Sequence, residues 1–239
     1  MANATINPSL LQGIEQRLNA VRPLIPKQVT LIAVTKKKSV EVMRAAYALG
    51  IRHFGESRVQ EAIAKQAELA DLPDITWHLI GHLQSNKAAK AIEHFDWIHS
   101  LDSLKLAQRC NQLLAERQGT MPQSGSDRQP KFCFQVKMVA DPNKSGWGSD
   151  ELWQDLDQLA QLSHLQIAGL MTIPPLDQSD EAIYSIFSQA KTFATQIQQR
   201  RLPNISMAEL SMGMSGDYPL AIKAGATMVR LGRTLFGER

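Results

Sequence analysis

Short runs of apolar residues alternate along the chain with longer stretches in which apolar residues recur every three or four positions. The run VTLIAVT, residues 29–35, is of the first kind, and a continuous apolar run is typical of a strand covered on both faces, as in a parallel sheet. The stretch 181–200 is of the second kind. Its apolar residues share one helical face: Ile183, Ile186, Phe187, Ala190, Ala194 and Ile197. The pattern therefore predicts buried strands that alternate with amphipathic helices.

Eight strands are predicted in this way, and helical stretches separate them. The predicted strands are residues 29–35, 53–56, 75–83, 96–101, 131–139, 165–173, 205–213 and 226–232. An extra helix, residues 8–21, precedes the first of them. An unbroken strand–helix series predicts an α/β fold with a parallel sheet, and eight units that close on themselves form a (β/α)8 TIM barrel. A doubly wound open sheet is the alternative, but the GxGxxG turn that usually marks it is absent from the sequence.

The whole chain, residues 1–239, is predicted to fold as one domain, because the sequence shows no internal repeat and no linker. This length suits a single-domain α/β barrel. The segment GTMPQSGSDRQP, residues 119–130, is rich in Gly, Pro and Ser. It is therefore predicted to be a flexible loop between a helix and a strand.

The composition is ordinary for a globular protein and excludes several function classes. The formal net charge is +3, and the basic residues are dispersed apart from one lysine triplet, which does not indicate a nucleic-acid surface. The longest apolar runs are too short to span a bilayer, and the N-terminus lacks the basic and apolar segments of a signal peptide. Cys110 and Cys133 have no motif spacing, so free thiols in a reducing cytosol are expected. We therefore expect a cytoplasmic protein.

Ligands of a (β/α)8 barrel bind at the carboxyl-terminal ends of the strands, so the polar residues there form the candidate site. From the first strand to the eighth, these ends carry Thr35, Lys36, Glu56, His82, Ser100, Lys137, Thr172, Ser211 and Arg230. The set offers a lysine after the first strand. After the last two strands it offers small residues that are rich in hydrogen-bond donors.

The loops after the last two strands have the composition of a phosphate-binding cradle. The stretches SMGMSGD, residues 211–217, and RLGRT, residues 230–234, supply the candidates Ser211, Gly213, Ser215, Gly216, Gly232 and Thr234. Helix N-termini present unpaired N–H groups, glycine lets the backbone approach an anion closely, and phosphate usually binds at this position in the fold. The alternative is that these residues only cap helices and form turns.

The lysine triplet follows the first predicted strand directly. If the strand stays extended, successive side chains alternate, so at most one or two of the lysines face the barrel mouth. Partial desolvation and neighbouring cations favour the neutral amine that a Schiff-base lysine needs, and strand geometry leaves Lys36 and Lys38 both open. The alternative is a solvated surface triplet. A phosphorylated ligand with a carbonyl group, such as pyridoxal 5′-phosphate (PLP), would use both the lysine and the cradle.

Six blocks of sequence, in order, carry a family resemblance from about residue 30 to the end of the chain. They are LIAVTKKKS, HFGESRVQE, WHLIGHLQSNK, GLMTIPP, ELSMGMSGD and VRLGRTLFG. Together they closely resemble the PLP homeostasis proteins. That family is similar to the barrel domain of fold-type III PLP enzymes such as alanine racemase, so the resemblance implies the same barrel and PLP as the cofactor.

The resemblance also implies roles for individual residues. Lys36 matches the lysine that forms the internal aldimine with PLP, and Lys38 matches a second lysine of the motif, whereas Lys37 lies where the family often has a neutral residue. Arg230 matches an arginine expected to face the pyridine ring. An arginine there would keep the ring nitrogen unprotonated, because two cations at hydrogen-bonding distance repel each other.

The matching phosphate-contact residues are Ser211, Gly213, Ser215, Gly232 and Thr234. One departure from the family is Ser57, which replaces the asparagine of the common motif FGEN. Ser57 is predicted to cap the next helix, residues 58–69, in a capping box with Gln60. An asparagine contact to the cofactor is therefore in question in this chain.

Other polar and polarisable residues have simpler interpretations. His78 and His82 are four apart, but on a strand they are not neighbours on one face, so a metal site is not expected. Lys137 is expected to line the rim of the barrel, with an approach to the cofactor as the alternative. The methionines near the strand ends are expected to pack: Met171, Met207, Met212 and Met214.

Three functions fit these residues. The resemblance implies a non-catalytic PLP carrier, a monomer that acts in PLP homeostasis and amino-acid and keto-acid balance, with apo PLP-dependent enzymes as recipients. The alternative is a fold-type III amino-acid racemase, but those enzymes take a second acid/base group from an added domain and a partner chain. This chain ends at Arg239, directly after the eighth strand loop, so no such domain is expected. The third function is a lyase or aldolase that uses Lys36 on a sugar phosphate.

Overall fold

The computed structural model describes residues 6–120, 129–141 and 144–238 of the chain. Its strands are β1 Thr30–Val34, β2 His53–Glu56, β3 Thr76–Leu79, β4 Trp97–Leu101, β5 Lys131–Lys137, β6 Trp147–Gly148, β7 Gln166–Met171, β8 Ile205–Ser211 and β9 Met228–Leu231. All their pairings are parallel. The order around the sheet is β4-β3-β2-β1-β9-β8-β7-β5, and β4 also pairs with β5. Eight strands therefore close into a barrel, as the sequence predicts.

Strand β6 is the one described strand that the sequence pattern does not predict. It has two residues and pairs with the end of β5. Two residues are too few to show a hydrophobic period, so a strand of this length cannot be recognised from the pattern.

The described helices are α1 Pro8–Val21, α2 Val40–Ala48, α3 Val59–Glu68, α4 Ala88–His94, α5 Leu104–Thr120, α6 Ser149–Leu159, α7 Asp180–Gln199, α8 Tyr218–Lys223 and α9 Arg233–Phe236. Short 3-10 turns cover Arg22–Leu24 and Ser85–Lys87. Helix α5 runs two residues into the predicted loop 119–130, and residues 121–128 of that loop lie outside the described part of the chain.

The extra helix before the barrel, α1, forms as predicted. The side chain of Asn7 caps it by accepting hydrogen bonds from backbone N–H groups of the first turn. Its apolar face buries Ile14, Leu18 and Val21, and the helix packs against α2 and α9. Full burial of such a side chain stabilises a fold by about 1.5–3 kcal/mol, so this stripe fixes α1 to the outside of the barrel.

Several strands end before the residues at which the apolar pattern ends. The strand predicted over 75–83 stops at Leu79, and the one predicted over 205–213 stops at Ser211. The apolar residues beyond these ends, Leu83 and Met212, are buried in the following loops. The pattern continues because the loops pack onto the core, and burial alone does not distinguish a strand from a packed loop.

The prediction that Ser57 caps α3 is wrong. The helix begins at Val59, its N-cap position is Arg58, and no side chain caps it. The backbone of Ser57 instead packs against Gly81, where a Cβ would lie 2.3 Å from the Ser57 carbonyl oxygen. This close approach of two loops fixes Ser57 outside the helix.

The apolar core and the buried polar side chains occupy different parts of the barrel. The main core lies between the barrel and its helices, and a smaller cluster fills part of the interior: Ile32, Trp97, Cys133, Met171 and Met228. Both cysteines are free thiols, as expected, and both are buried. The buried polar side chains lie mostly on or after the carboxyl-terminal halves of the strands: Thr35, Glu56, Lys65, His78, His99, Ser100, Thr172, Ser211 and Arg230. The candidate site is therefore at that end.

Candidate functional site

The lysine triplet lies in a tight turn and not on an extended strand. Strand β1 ends at Val34, and the backbone N–H of Lys38 donates to the carbonyl of Thr35 at 2.9 Å. Lys37 has a φ of 61°, a left-handed conformation that is uncommon outside glycine. The condition for alternating side chains, an extended strand through the triplet, is therefore not met here. Lys36 and Lys37 are exposed on the rim, and Lys38 is half-buried.

The buried ammonium group of Lys65 is hydrogen-bonded to this turn. Lys65 Nζ, on α3, donates to the carbonyl of Thr35, to Glu56 Oε1 and to Glu61 Oε1, each at 2.8 Å. The hydroxyl of Thr35 donates to the same oxygen of Glu56 at 2.7 Å. Glu61 in turn accepts from the backbone N–H of Lys37 at 2.6 Å. We call Lys65, Glu56, Glu61 and Thr35 the turn clamp, because every member is bonded to the turn or belongs to it.

Burial dominates the electrostatics of the turn clamp. Glu56 is fully buried, which raises the pKa of its carboxyl, while hydrogen bonds from Lys65 and Thr35 oppose the rise. Its second oxygen, Oε2, has no hydrogen-bond partner among the described residues. Burial also disfavours ionisation of Glu61, but the hydrogen bonds from Lys65 and from the Lys37 N–H outweigh burial and lower its pKa. The sequence pattern does not point to Lys65, which has the spacing of an ordinary helix lysine.

The loops after β8 and β9 bring three of the predicted phosphate residues together. Ser215 Oγ accepts hydrogen bonds from the backbone N–H groups of Gly232 and Thr234, both at 3.3 Å. A Cβ built on Gly216, the next residue, would meet nothing within 4 Å, so the loop is open at that position. Two N–H groups and a hydroxyl that converge beside open space fit a phosphate group.

This cradle adjoins the lysine turn. Strand β9 pairs with β1, with Leu231 opposite Ala33. A Cβ built on Gly232 would lie 3.5 Å from the carbonyl oxygen of Val34. Because Lys36 follows Val34 by two residues, the turn and the cradle are neighbours at the same edge of the barrel.

Gly213 shapes the loop after β8 rather than offering a free donor. Its φ is 94°, and a Cβ would lie 2.6 Å from the Cβ of Ala221, so no other residue fits without a shift. Its carbonyl accepts from the backbone N–H of Arg230 at 2.9 Å. The structure thus gives Gly213 a packing role that also fixes the backbone at Arg230.

Ser211 accepts hydrogen bonds from the side chain of Arg230. The guanidinium Nη1 of Arg230 donates to the carbonyl of Ser211 at 2.7 Å and to its hydroxyl at 2.6 Å, and Nη2 donates to the carbonyl of Thr172 at 3.2 Å. Burial lowers the pKa of Arg230 to about 10, although Asp217 and Cys133 pull in the other direction. The group is still charged at neutral pH, so a buried cation lies below the mouth.

Three histidines form a hydrogen-bonded row behind Ser211. His53 Nδ1 lies 3.0 Å from His78 Nε2, and His78 Nδ1 lies 2.9 Å from His99 Nε2. His99 Nδ1 lies 2.8 Å from Ser211 Oγ. We call His53, His78 and His99 the histidine row. The sequence places them on three consecutive strands but does not show that their rings meet.

The row is neutral at physiological pH. Burial lowers the pKa of His99 to about 3, and the charge of Arg230 adds to the effect. The pKa of His78 is well below its usual value, because the residue is buried and because His99 and His53 also disfavour a positive charge on it. The pKa of His53 is lowered by burial, against the attraction of Asp96.

Acid should therefore destabilise the fold through His99. The unfolded chain protonates this residue below about pH 6.5, whereas the folded barrel resists protonation until about pH 3. This contribution to stability is complete above pH 6.5 and falls by about 1.4 kcal/mol per pH unit as the pH drops. Urea unfolding at pH 6.5 and 5.5 measures the slope. His99→Gln should reduce the slope by the share of one histidine, because the buried His78 keeps its own contribution. His94→Gln, outside the barrel, should leave the slope unaltered; an equal slope in both variants would contradict the assignment.

The remaining predicted residues have simple places. His82 is exposed, and its Nδ1 lies 2.8 Å from Asp102 Oδ2. His78 belongs instead to the histidine row. Across the described ranges, no cluster of three or more His, Cys, Asp or Glu side chains could hold a metal ion. Lys137 is half-buried at the end of β5. Met171, Met207 and Met212 are buried, as packing residues should be. None of the described helices has the length and apolar content needed to cross a membrane.

Solved structures resemble this barrel along nearly its whole length. PipY of Synechococcus elongatus, solved with PLP bound, is 52% identical, with a TM-score of 0.85 over 94% of this chain and 100% of PipY. Alanine racemase from Clostridium difficile is 17% identical, with a TM-score of 0.72 over 96% of this chain and 57% of the racemase. The racemase similarity shows the shared fold alone.

Sequence comparisons give the family. Residues 10–239 match the family model described as alanine racemase, N-terminal domain. The pyridoxal phosphate homeostasis protein of Synechocystis sp. is 49% identical over 215 residues, which are 90% of this chain and 94% of that protein. The protein of the same name from Pseudomonas aeruginosa is 40% identical over 214 residues, 90% of this chain and 86% of that protein. The chain therefore belongs to the pyridoxal phosphate homeostasis protein family, whose barrel is that of the alanine racemase N-terminal domain.

Proposed function

We propose that this protein binds PLP at the carboxyl-terminal end of its barrel, holds it as an aldimine on Lys36, and acts without catalysis in intracellular PLP homeostasis and amino-acid and keto-acid balance. The main support is the juxtaposition of an exposed lysine, on a turn bonded to Lys65, with the cradle of Ser215, Gly232 and Thr234, where two backbone N–H groups converge on one hydroxyl. PLP carries an aldehyde and a phosphate, so it is matched at both ends. A 52% identical relative was solved with PLP bound.

Each site residue has a distinct part in this proposal. Lys36 supplies the amine, and the cradle takes the phosphate. Ser211 and Gly213 contribute beside it, the first through its bond to Arg230 and the second by fixing the loop. The buried guanidinium of Arg230 disfavours a second positive charge on a ring nitrogen near it. A ring that stays unprotonated is a weak electron sink, which supports storage rather than catalysis.

We further propose that one barrel domain, residues 1–239, performs this role as a cytoplasmic monomer. Apo PLP-dependent enzymes are the recipients that a carrier implies. The curated relatives are named for homeostasis and not for a reaction. A racemase of this fold remains the competing function, because alanine racemases share the barrel.

The visible absorption spectrum tests the proposal. Purified protein given PLP should gain an aldimine band, and borohydride should fix the cofactor to one lysine that peptide mass mapping identifies. Protein with no such band before or after PLP is added does not have the proposed function. Incubation with single enantiomers of several amino acids separates carrier from racemase. Sustained conversion into the opposite enantiomer would rule out the carrier.

Removal of the Ser215 hydroxyl should weaken PLP binding. A hydrogen bond to a charged group contributes about 1.5–3 kcal/mol, so Ser215→Ala should raise the Kd for PLP by roughly 10- to 100-fold. Titration of the absorption band measures the change. Ser185→Ala, on α7, is the control and should leave the Kd unaltered. An unchanged Kd in Ser215→Ala would mean that the phosphate binds elsewhere.

A further inference from the structure

We propose that the histidine row is a tautomer relay, which couples the proton occupancy of His53 at one end of the barrel to the direction in which the Ser211 hydroxyl donates at the other. Its members act as positioning residues, because they reach the mouth through Ser211. The coupling to PLP rests on the proposed function, whereas the relay itself is a property of the ligand-free protein.

The geometry leaves the rings little freedom. His53, His78 and His99 lie on the adjacent strands β2, β3 and β4, and three contacts of 2.8–3.0 Å join them to one another and to Ser211. His78 and His99 are fully buried. The indole of Trp97 stacks on His78 with an interplanar angle of 11° and also contacts His99. Packing of this kind prevents the imidazole rings from rotating. The hydrogen bonds of the row can therefore reverse direction only if protons move between the nitrogens.

Proton counting allows the intact row only two arrangements. A neutral imidazole has one N–H donor and one acceptor nitrogen, so each ring donates to one side and accepts from the other. In the outward state all three protons are on Nδ1, and His99 donates to Ser211. In the inward state all three are on Nε2, and the Ser211 hydroxyl donates to His99. A mixture of the two states would break a hydrogen bond inside a buried row.

The two states differ in whether the hydrogen of the Ser211 hydroxyl is available to a ligand. Arg230 Nη1 donates to Ser211 Oγ at 2.6 Å, which occupies one acceptor position in both states. In the outward state His99 donates to the other acceptor position, so the hydroxyl hydrogen is left for another acceptor. In the inward state that hydrogen is used by His99. A ligand that accepts a hydrogen bond from Ser211 therefore selects the outward state.

The opposite end of the row faces a cavity. His53 is half-buried, and no described residue bonds its Nε2. It lines a cavity of about 430 Å³ at the amino-terminal ends of β1 and β2, together with Arg22, Lys27 and Arg52. Burial disfavours a proton on the ring, and Asp96 attracts one. A protonated His53 carries hydrogen on both nitrogens, which is compatible with the outward state alone.

Passage between the states moves one proton along the row. From the inward state, His78 gives its Nε2 proton to His53 Nδ1 and His99 gives its Nε2 proton to His78 Nδ1. Ser211 gives its proton to His99 Nδ1 and takes a replacement from hydronium that reaches it from the solvent. His53 then either keeps its Nε2 proton and is cationic or releases it to the cavity. Proton uptake at His53 and hydrogen-bond donation by Ser211 favour the same state, so each must strengthen the other.

Nitrogen-15 NMR of the ligand-free protein tests the relay without reference to PLP. Imidazole nitrogen shifts distinguish the two tautomers. At pH 7.5, His53, His78 and His99 should share one tautomer, or exchange between the two with the same populations. Opposite tautomers at His78 and His99 would overturn the relay. A failure of PLP to bind would overturn the proposed function but not this result.

The linkage to PLP has its own test. The Kd for PLP is measured at pH 8 and pH 5.5 in the wild type, in His53→Gln and in His94→Gln, so that titration of PLP itself cancels between variants. Glutamine can donate or accept but cannot be protonated. The wild type and His94→Gln should gain relative affinity at the lower pH over His53→Gln, by about fivefold at the low end of a typical coupling. The same pH dependence in all three proteins would show that His53 is not coupled to the site.

Discussion

Replacement of Lys36 by alanine is expected to abolish the aldimine band of PLP-treated protein completely, while Lys38→Ala retains it. Strand geometry alone leaves both lysines as candidates, because it treats the chain as extended. The family resemblance selects Lys36. In the turn this lysine is exposed, whereas Lys38 is half-buried and its backbone N–H donates to the carbonyl of Thr35. A covalent bond to the cofactor requires a free amine with access to the mouth, so the first lysine is favoured.

Lys37→Ala is the matched control for this experiment. It removes one ammonium group from the same turn, and the alanine keeps the side-chain Cβ that the φ of 61° must accommodate. The band should persist, and borohydride should still attach PLP to Lys36. Loss of the band in Lys38→Ala, with retention in Lys36→Ala, would assign the aldimine to Lys38 and contradict our proposal.

The fold could be predicted from the sequence because its signals are local. Each buried strand appears as its own apolar run, and each helix shows its own 3.6-residue period. The closed eight-stranded barrel then follows from the count. The ends of the strands could not be predicted, since loop residues such as Leu83 and Met212 are as buried as the strands that precede them.

The candidate site also has a part that local sequence indicates and a part that depends on contacts between distant residues. Ser215, Gly232 and Thr234 belong to short loops whose composition and place in the fold fit anion binding, with helix caps and turns as the alternative. The turn clamp and the histidine row depend on contacts between distant parts of the chain, up to 112 residues apart for His99 and Ser211. A single lysine on a helix or a histidine on a strand carries no local mark of such a partner. The family resemblance places Lys36 but likewise does not show what holds it.

Lys65→Met is expected to destabilise the protein by about 3–5 kcal/mol, because removal of one partner leaves the other charge buried and uncompensated. Glu56 is fully buried and would lose the ammonium group that is 2.8 Å from its Oε1. Urea unfolding at pH 7 measures the loss. Lys90→Met, an exposed lysine on α4, is the control and should change stability by less than about 0.5 kcal/mol. A loss below about 1 kcal/mol in Lys65→Met would show that Glu56 is already neutral in the folded protein.

The pH dependence and a second substitution identify the cause of this loss. Burial already raises the pKa of Glu56, and without Lys65 the pKa must rise further. A raised carboxyl pKa destabilises the fold above the unfolded value of about 4.5, so the difference from the wild type should shrink as the pH falls toward that value. Addition of Glu56→Gln to Lys65→Met should restore part of the stability at pH 7, since it removes the buried charge.

The same substitution links the turn clamp to cofactor capture. Lys65 also holds the carbonyl of Thr35, and through Glu61 it supports the N–H of Lys37. In Lys65→Met the backbone N–H groups of Lys37 and Lys38 should exchange with solvent faster, and borohydride trapping at Lys36 should become slower although Lys36 itself is intact. Glu56→Gln in that background removes the charge but not the looseness of the turn. If it restored the trapping rate along with the stability, the clamp would serve the fold alone and not the position of Lys36.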